Sequence, residues 1–178
     1  MSKIRWSVDP VHTQIQFSVR HMVISKVRGE FEQFETWIET DGEEIQGAKA
    51  FFSAAAASIN TRNKMRDDHL RSGDFFKADE FPNLTFESTS FEKKGGEDYI
   101  LKGNLTMRGV TKPIELAVEF GGIITDPYGL RRAGFSLSGK LNRKEFGMVY
   151  NDLIETGGAV VGDEVSLDLH VEFTYKPS

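Results

Sequence analysis

The stretch VSLDLHVEFTY (Val165–Tyr175) alternates apolar and polar residues without interruption. The apolar positions are Val165, Leu167, Leu169, Val171, Phe173 and Tyr175, and the polar positions are Ser166, Asp168, His170, Glu172 and Thr174. Because successive side chains of a β-strand point to opposite faces, this pattern predicts a strand with one buried face and one face in water. Such strands are typical of antiparallel sheets.

The same period of two recurs along most of the chain. The clearest further runs lie at Ile15–Val19, Leu101–Met107, Ile114–Phe120 and Phe135–Leu141, with shorter candidates at Val27–Phe31, Phe34–Glu39, Ala48–Ile59 and Leu84–Phe91. Residues that favour turns separate several of these runs, at Asp41-Gly42, Gly95-Gly96, Asp126–Gly129 and Gly162-Asp163. These spacings predict about eight antiparallel strands, many of them joined by hairpins.

A sheet of about eight strands with one polar face has to bury its other face. Closing the sheet into a barrel does this and also removes the exposed edges, whereas a two-sheet sandwich is the competing arrangement. Several runs are longer than the about five or six residues of a typical strand. Long strands make a tall barrel, so their length favours this arrangement. We therefore predict an all-β fold with a short helical crossover, in a single domain over residues 1–178. The residues expected to face the interior and bind a ligand are Phe17, Val19, Phe31, Leu116, Val118, Phe120, Phe135, Leu137, Leu167 and Leu169.

The composition of the 178-residue chain argues against several classes of protein. The net charge of -5 disfavours nucleic-acid binding, which needs a positive excess. No apolar run approaches the about 20 residues of a membrane-spanning helix, and the lack of cysteine excludes disulfides. The N-terminal stretch Met1–Pro10 shows no signal peptide. We therefore expect a cytoplasmic location, or a periplasmic one if a leader before Met1 has been removed.

The charged stretch TRNKMRDDHLRSGDFF (Thr61–Phe76) interrupts the alternating pattern. Its first twelve residues lack glycine and proline, and they follow Asn60, a residue type favoured at helix N-caps. We predict a helix over 61–72 within a crossover over about residues 60–82, which would act as a lid at a barrel mouth. Helical geometry should turn Arg62, Met65, Arg66 and His69 towards the barrel, and Lys64, Asp67, Asp68 and Arg71 towards solvent.

Chemical motifs are sparse in this sequence. The four histidines are His12, His21, His69 and His170, and they lack the HExxH or HxH spacing of metal sites, so no metal is expected. Asp67 and Asp68 lie beside His69, but adjacent carboxylates diverge on a helix. They are better explained by the pairs Lys64–Asp68 and Asp67–Arg71, each four residues apart, than by acid–base catalysis. No nucleophile-elbow, P-loop or dinucleotide-binding motif occurs.

Seven segments together carry a resemblance to a known family. They are WSVDPVHTQIQFSVRHM (Trp6–Met22), VRGEF (Val27–Phe31), NTRNKMRDDHLRSGDFF (Asn60–Phe76), FPNLTFES (Phe81–Ser88), GNLTMRGVTKPIEL (Gly103–Leu116), LNRKEFG (Leu141–Gly147) and VGDEVSLDLHVEF (Val161–Phe173). In this order they resemble the YceI family over nearly the whole chain. The resemblance implies an eight-stranded, lipocalin-like antiparallel β-barrel that binds a long isoprenoid or other lipidic chain, in a protein that is often a homodimer.

Together with the alternating strands, the resemblance implies a lipid carrier or reservoir with no enzymatic activity and no cofactor. A polyprenyl, quinone or fatty-acid-like ligand would lie in the apolar interior. Arg62, Arg66 and His69 would meet its head group at a polar rim; alternatively, these cations satisfy strand-end carbonyls and fix the lid. Two other classes of function stay open. One is an enzyme acting on a lipidic substrate with His69 or His21 as general base; the other is a scaffold that works through its dimer surface.

Overall fold

The structure is a computed structural model that describes residues 2–22, 24–151 and 161–178. The strands in this part of the chain are β1 Lys3–Val8, β2 Gln14–His21, β3 Ser25–Phe31, β4 Phe34–Asp41, β5 Glu44–Ala55, β6 Ile59–Asn60, β7 Asn83–Gly95, β8 Asp98–Met107, β9 Val110–Thr125, β10 Arg131–Asn142 and β11 Val161–Tyr175. The helix α1 Lys64–Arg71 lies between β6 and β7, and short 3₁₀ turns cover Pro10–His12, Ala56–Ser58 and Arg143–Phe146.

These strands occupy eight positions of one closed antiparallel sheet. β1 and β2 form the first position, since only the 3₁₀ turn at Pro10–His12 separates them. In the same way β3 and β4 form the second position, and β5 and β6 form the third. Each later strand pairs with its neighbour in the chain, and β11 pairs with both β1 and β2, which closes the sheet. The predicted eight-stranded antiparallel β-barrel with a short helical crossover is therefore confirmed.

The alternating stretch Val165–Tyr175 forms most of β11. β10 pairs with this strand over twelve consecutive positions, and β2 and β1 pair with its other edge. Because its register is fixed on both sides, the apolar set keeps to the inner face. Gly162-Asp163, predicted as a hairpin turn, instead lies inside β11, at a shift in the β2–β11 register that accommodates the extra residues.

Packed rings and ion pairs fill one end of the barrel, which we call the closed end. Trp6 is fully buried, and its indole N–H donates to Thr40 Oγ1 at 2.9 Å. Tyr175 packs edge-on against the indole, with ring centroids 4.5 Å apart, and its hydroxyl donates to Glu43. The Glu43 carboxylate also accepts hydrogen bonds from the guanidinium of Arg131 at 2.7 and 2.9 Å. This end of the barrel is therefore sealed.

Connections between strands cover the opposite end, which we call the mouth end. Arg108, in the β8–β9 turn, donates to the Gly73 carbonyl at 2.7 Å and also to the Gly147 carbonyl. It thereby ties the crossover between β6 and β7 to the segment that follows β10. Phe75 of the crossover is buried, and Phe76 packs edge-on against Phe31 of the barrel wall at 5.7 Å between centroids. The crossover is therefore fixed to the barrel by its aromatic residues.

The helix is shorter than the sequence predicts. It begins at Lys64 rather than Thr61, and its N-cap is Asn63, whose side chain accepts from the backbone N–H of Arg66. Arg62 explains the difference, because its φ of 63° is left-handed and a right-handed helix cannot continue through it. Within the described ranges, no helix is long and apolar enough to cross a membrane.

Candidate functional site

The barrel encloses an apolar cavity of about 200 Å³. Side chains from most strands, from α1 and from the crossover line it. Among the lining residues that the structure describes, Gln16, Thr36 and Arg143 are polar or charged, and all the others are apolar. Apolar cavities of about 150 Å³ stay dry and accept benzene. The space is therefore chemically suited to a hydrocarbon.

Most of the residues predicted to face the interior line this cavity, namely Phe17, Val19, Phe31, Leu116, Phe135, Leu137, Leu167 and Leu169. Val118 and Phe120 pack in or against the core but do not line the cavity. Phe120 stacks on Phe135 at 5.2 Å between centroids and packs edge-on against Tyr99, so rings fill the barrel at this level. Contact of any of these residues with a ligand stays a prediction.

Arg62 and Arg66, two of the residues predicted to form a polar rim, do not line the cavity. The Arg62 side chain is exposed. Arg66 donates from Nε to Thr61 Oγ1 at 2.7 Å and from Nη2 to the Thr61 carbonyl at 2.6 Å. Arg66 therefore holds the start of the crossover, which agrees with the alternative that these cations satisfy backbone carbonyls. Their contact with a head group stays a prediction.

His69, the third predicted rim residue, also lies outside the cavity lining. Its Nε2 is 2.8 Å from Asp74 Oδ2, and its ring is edge-on to Phe75 at 5.1 Å and to Tyr150 at 4.8 Å between centroids. Phe75 itself lines the cavity. His69 is thus separated from the cavity by an aromatic ring, and its role at a head group likewise stays a prediction.

The face that α1 turns towards the barrel differs from the predicted one. Met65 is 84% exposed, whereas Asp67 is buried. Asp67 Oδ1 accepts hydrogen bonds from the backbone N–H of Thr61 at 2.9 Å and from its hydroxyl at 2.5 Å. The reason is that Thr61 is buried where the chain leaves β6, and a buried backbone N–H needs an acceptor. Leu70 of α1 lines the cavity.

Arg143, directly after β10, is a buried cation that our sequence analysis did not single out. It lines the cavity and is 3% exposed. Its Nε donates to the Gly162 carbonyl at 2.8 Å, and its Nη1 donates to the carbonyls of Met148 and Tyr150 at 2.6 and 2.9 Å. Its Nη2 donates to the Val161 carbonyl at 3.3 Å. Four backbone carbonyls thus hold this guanidinium at the mouth end.

Among the described residues, one carboxylate lies near the positive charge of Arg143. The Asp163 carboxylate lies 3.8 Å from Nη2 and is itself half exposed. Burial lowers the pKa of the Arg143 guanidinium, and the charge of Asp163 acts in the opposite direction. Because arginine ordinarily titrates above about 12, the side chain stays protonated. Its sequence position was an available signal, since Arg143 continues the inward-facing set of alternate positions Leu137 and Leu141.

The other histidines also lie outside the cavity lining. His21 ends β2 and pairs across the sheet with Val161. His170 is exposed on β11, with Nε2 3.3 Å from Asp168 Oδ1. His12 belongs to the 3₁₀ turn between β1 and β2. The described histidines therefore do not line the cavity, and His21 is next to it through Val161.

Asp9, His12 and Glu172 bring three possible metal ligands within 4.8 Å of one another. Arg132 already serves these groups, because its Nη1 donates to Asp9 at 2.6 Å and to Glu172 at 3.0 Å. The hydrogen bond from Arg132, together with bonds from His12 and the Val11 N–H, holds the pKa of Asp9 at about 2. We therefore assign this cluster a structural role near the closed end.

Comparison with known proteins gives the same architecture and a family. Residues 6–173 match the family described as the YceI-like domain. A UPF0312 protein of Staphylococcus aureus (strain N315) is 36% identical to this chain over 170 residues, which make up 95% of this chain and 96% of the relative. The match therefore extends over nearly the full length of both proteins.

Solved structures share the fold. The Campylobacter jejuni YceI protein aligns with a TM-score of 0.77 and 34% identity, over 89% of this chain and 90% of that one. A polyisoprenoid binding domain from Saccharophagus degradans, implicated in plant cell wall breakdown, aligns with a TM-score of 0.68 over 97% of this chain and 98% of that one. At 16% identity, this second similarity is one of fold. From its sequence match and its barrel, the chain belongs to the YceI-like domain family.

Proposed function

We propose that this protein binds an isoprenoid or another lipidic amphiphile inside its barrel and acts as a lipid carrier or reservoir. The observation that carries the proposal is the apolar cavity of about 200 Å³, whose described lining holds a single charged side chain, Arg143. Each CH₂ group moved from water into such a site contributes about 0.8 kcal/mol. A long hydrocarbon chain therefore needs few polar contacts for affinity. The fold shared with the Saccharophagus polyisoprenoid binding domain supports this reading.

The cavity as it stands accommodates a short hydrocarbon segment, so a longer chain requires lining side chains to move. Several lining residues are only partly buried, in particular Phe17 and Val19 of β2, Leu137 of β10 and Leu167 of β11. Side chains of this kind have room to change rotamer because they are not enclosed on all sides. We expect the wall formed by β2, β10 and β11 to adapt to the ligand.

The charge at the mouth end supports a ligand with a polar head. A guanidinium in an apolar wall favours a hydrogen-bond acceptor or an anion, such as a quinone carbonyl, a carboxylate or a phosphate. Arg143 is the described cation that lines the cavity, whereas Arg62, Arg66 and His69 do not. Four backbone carbonyls already accept hydrogen bonds from its guanidinium, so it would attract a head group mainly through its charge. An isoprenoid phosphate, a quinone and a fatty acid all satisfy this requirement.

The positions of the possible general bases favour binding over catalysis. A general base has to lie within hydrogen-bond reach of the proton it removes. His21 and His69, the residues considered for this role, do not line the cavity. Among the described lining residues there is no imidazole and no carboxylate. The geometry therefore supports a binding protein.

A substitution that fills the cavity tests the proposal. Leu167→Trp places an indole in the lining, so it should weaken the binding of a long-chain polyprenol, added in detergent micelles, by at least about tenfold. His170→Trp adds the same ring to an exposed position on the same strand and should leave binding unchanged. Native mass spectrometry measures the bound fraction. The proposal fails if the unmodified protein binds no polyprenol, quinone or fatty acid, or if both variants bind alike.

A further inference from the structure

The hairpin of β2 and β3 reaches the mouth end of the barrel. The last residue of β2, His21, pairs with Val161 at the start of β11, next to the segment that Arg143 holds. The inner face of the hairpin belongs to the cavity, since Phe17 and Val19 line it. The tip of this hairpin therefore lies beside the end through which a ligand would reach the cavity.

Apolar side chains are exposed at this tip. Ile24 is 86% exposed and Met22 is 41% exposed. Met22 also has a φ of 51°, a left-handed conformation that non-glycine residues seldom adopt. Single exposed apolar residues are common on protein surfaces. Two of them at one hairpin tip form a small exposed apolar patch, and such patches are found at contacts with proteins or membranes.

The outer face of the same hairpin is basic. Its charged side chains are Arg20, Lys26, Arg28 and Glu30, which give it a net positive charge although the whole chain has a net charge of -5. Arg20, Lys26 and Arg28 are all exposed. Arg20 and Lys26 are directly opposite each other across the hairpin, so two cations lie side by side on this face.

Acidic residues on the neighbouring strand have partners of their own. Asp163 and Glu164 of β11 border the same surface groove as Arg20 and Lys26. Asp163 lies 3.4 Å from Lys144, and Glu164 lies 3.5 Å from Lys140. Each of these carboxylates therefore pairs with a lysine, and the described charged residues that line the groove, three basic and two acidic, leave a net positive charge.

We infer that the β2–β3 hairpin docks on a bilayer surface that carries anionic phospholipid. Arg20, Lys26 and Arg28 would meet the lipid phosphates, and Met22 and Ile24 would enter the boundary between head groups and acyl chains. Charge complementarity selects this partner, because a basic surface with an apolar tip matches an anionic surface over an apolar layer. Docking would place the mouth end against the membrane. This inference goes beyond the proposed lipid binding, since it concerns the membrane surface to which the protein attaches.

Co-sedimentation with vesicles tests the inference on the full chain. The protein should bind vesicles of phosphatidylcholine mixed with phosphatidylglycerol, bind phosphatidylcholine alone much less, and dissociate as salt is raised. Replacing Arg20 and Lys26 together with Gln, or Met22 and Ile24 together with Ser, should weaken binding to the mixed vesicles by at least about tenfold.

A matched control lies at the other end of the barrel. Ile124 and Tyr128, beside and within the β9–β10 turn, are 61% and 87% exposed, so replacing both with Ser removes a similar apolar surface and should leave vesicle binding unchanged. The inference is overturned if both vesicle types bind equally, if the hairpin variants bind like the unmodified protein, or if the control loses binding as they do. Polyprenol binding in detergent should survive in the hairpin variants. Vesicle binding by a protein that takes up no polyprenol would support docking and contradict the proposed function instead.

Discussion

Glu43 at the closed end shows how a single carboxylate makes the fold sensitive to acid. Hydrogen bonds from Arg131 and then from the Tyr175 hydroxyl hold the pKa of Glu43 at about 2, against an ordinary value of 4.5. A carboxylate whose pKa is lower in the folded than in the unfolded chain stabilises the fold at high pH. Its contribution is complete above the unfolded pKa and is lost as the pH falls towards the folded pKa. For Glu43 this window runs from about 4.5 down to about 2.

Glu43→Gln should therefore lower the free energy of unfolding by about 1–3 kcal/mol near neutral pH, and the difference should shrink at about pH 3 as the unmodified protein loses the same contribution. Urea unfolding followed by tryptophan fluorescence measures both values. Glu115→Gln is the control, because Glu115 is 60% exposed and 3.7 Å from Lys102, so its effect should stay within about 0.5 kcal/mol. A Glu43→Gln effect that is the same at both pH values would contradict the assignment.

At the scale of residues, the sequence predicts an apolar lining better than it predicts polar contacts. Phe17, Phe135 and Leu167 line the cavity because strand alternation alone decides which face they take. Alternation also puts Arg143 on the inner face, but its residue type argues against burial. An arginine is ordinarily exposed, and its burial depends on carbonyls of Met148 and Gly162 that approach only once the barrel is closed.

At the scale of elements, α1 has one side fixed to the barrel and another in water. The sequence predicts Asp67 and Asp68 as equivalent members of a solvated face. In the structure, Asp67 is buried against Thr61, while Asp68 pairs with Lys64 at 2.8 Å and with Arg71 at 2.9 Å on the surface. The predicted Lys64–Asp68 pair therefore forms, and Arg71 pairs with Asp68 rather than with Asp67.

This difference predicts unequal effects of two neighbouring substitutions. Asp67→Asn should lower the free energy of unfolding by about 1–3 kcal/mol, because it weakens two buried hydrogen bonds to a charged acceptor. Asp68→Asn should change the free energy of unfolding much less than Asp67→Asn does, as expected for exposed ion pairs. Urea unfolding of the two variants, which differ by one position and have the same change in charge, measures this directly. Equal effects would show that Asp67 is not buried in solution.

The strands were predictable as elements, whereas their interruptions and the helix start were not. Alternation marks a strand wherever one face is buried, so β9, β10 and β11 were all expected. The helix start depends on Arg62, whose left-handed φ follows from the hydrogen bond between its N–H and the Asn60 side chain. A local contact of this kind leaves no periodic pattern in a sequence.

At the scale of the whole molecule, the homodimer expected from the family resemblance stays a prediction. Light scattering at several protein concentrations should give a mass of twice 20.0 kDa. Exposed apolar residues, among them Val11 and Val149, offer surface that a partner would cover. A single species of 20.0 kDa at every concentration would reject a stable dimer.

The barrel was predictable because about eight strands, each with one apolar and one polar face, have few ways to bury their apolar faces. The sequence did not predict which end of the barrel is sealed. The closed end depends on Trp6, Glu43 and Arg131, which are far apart in the chain and meet only through the β1–β4 and β9–β10 pairings and the turns beside them. Contacts between residues so far apart in the chain follow from the topology of the barrel, and they cannot be predicted from a single sequence.

The pairing of β11 with β1 and β2 also sets an order of events during protein synthesis. A ribosome releases β1 and β2 first and β11 last among the strands of the barrel. Until β11 emerges, the nascent sheet has two unpaired edges and lacks one side of the cavity, including Leu167 and Phe173. Open edges of this kind are prone to aggregate. The cavity is therefore complete only after translation of the barrel is finished, and a chaperone that shields the open edges would act before that moment.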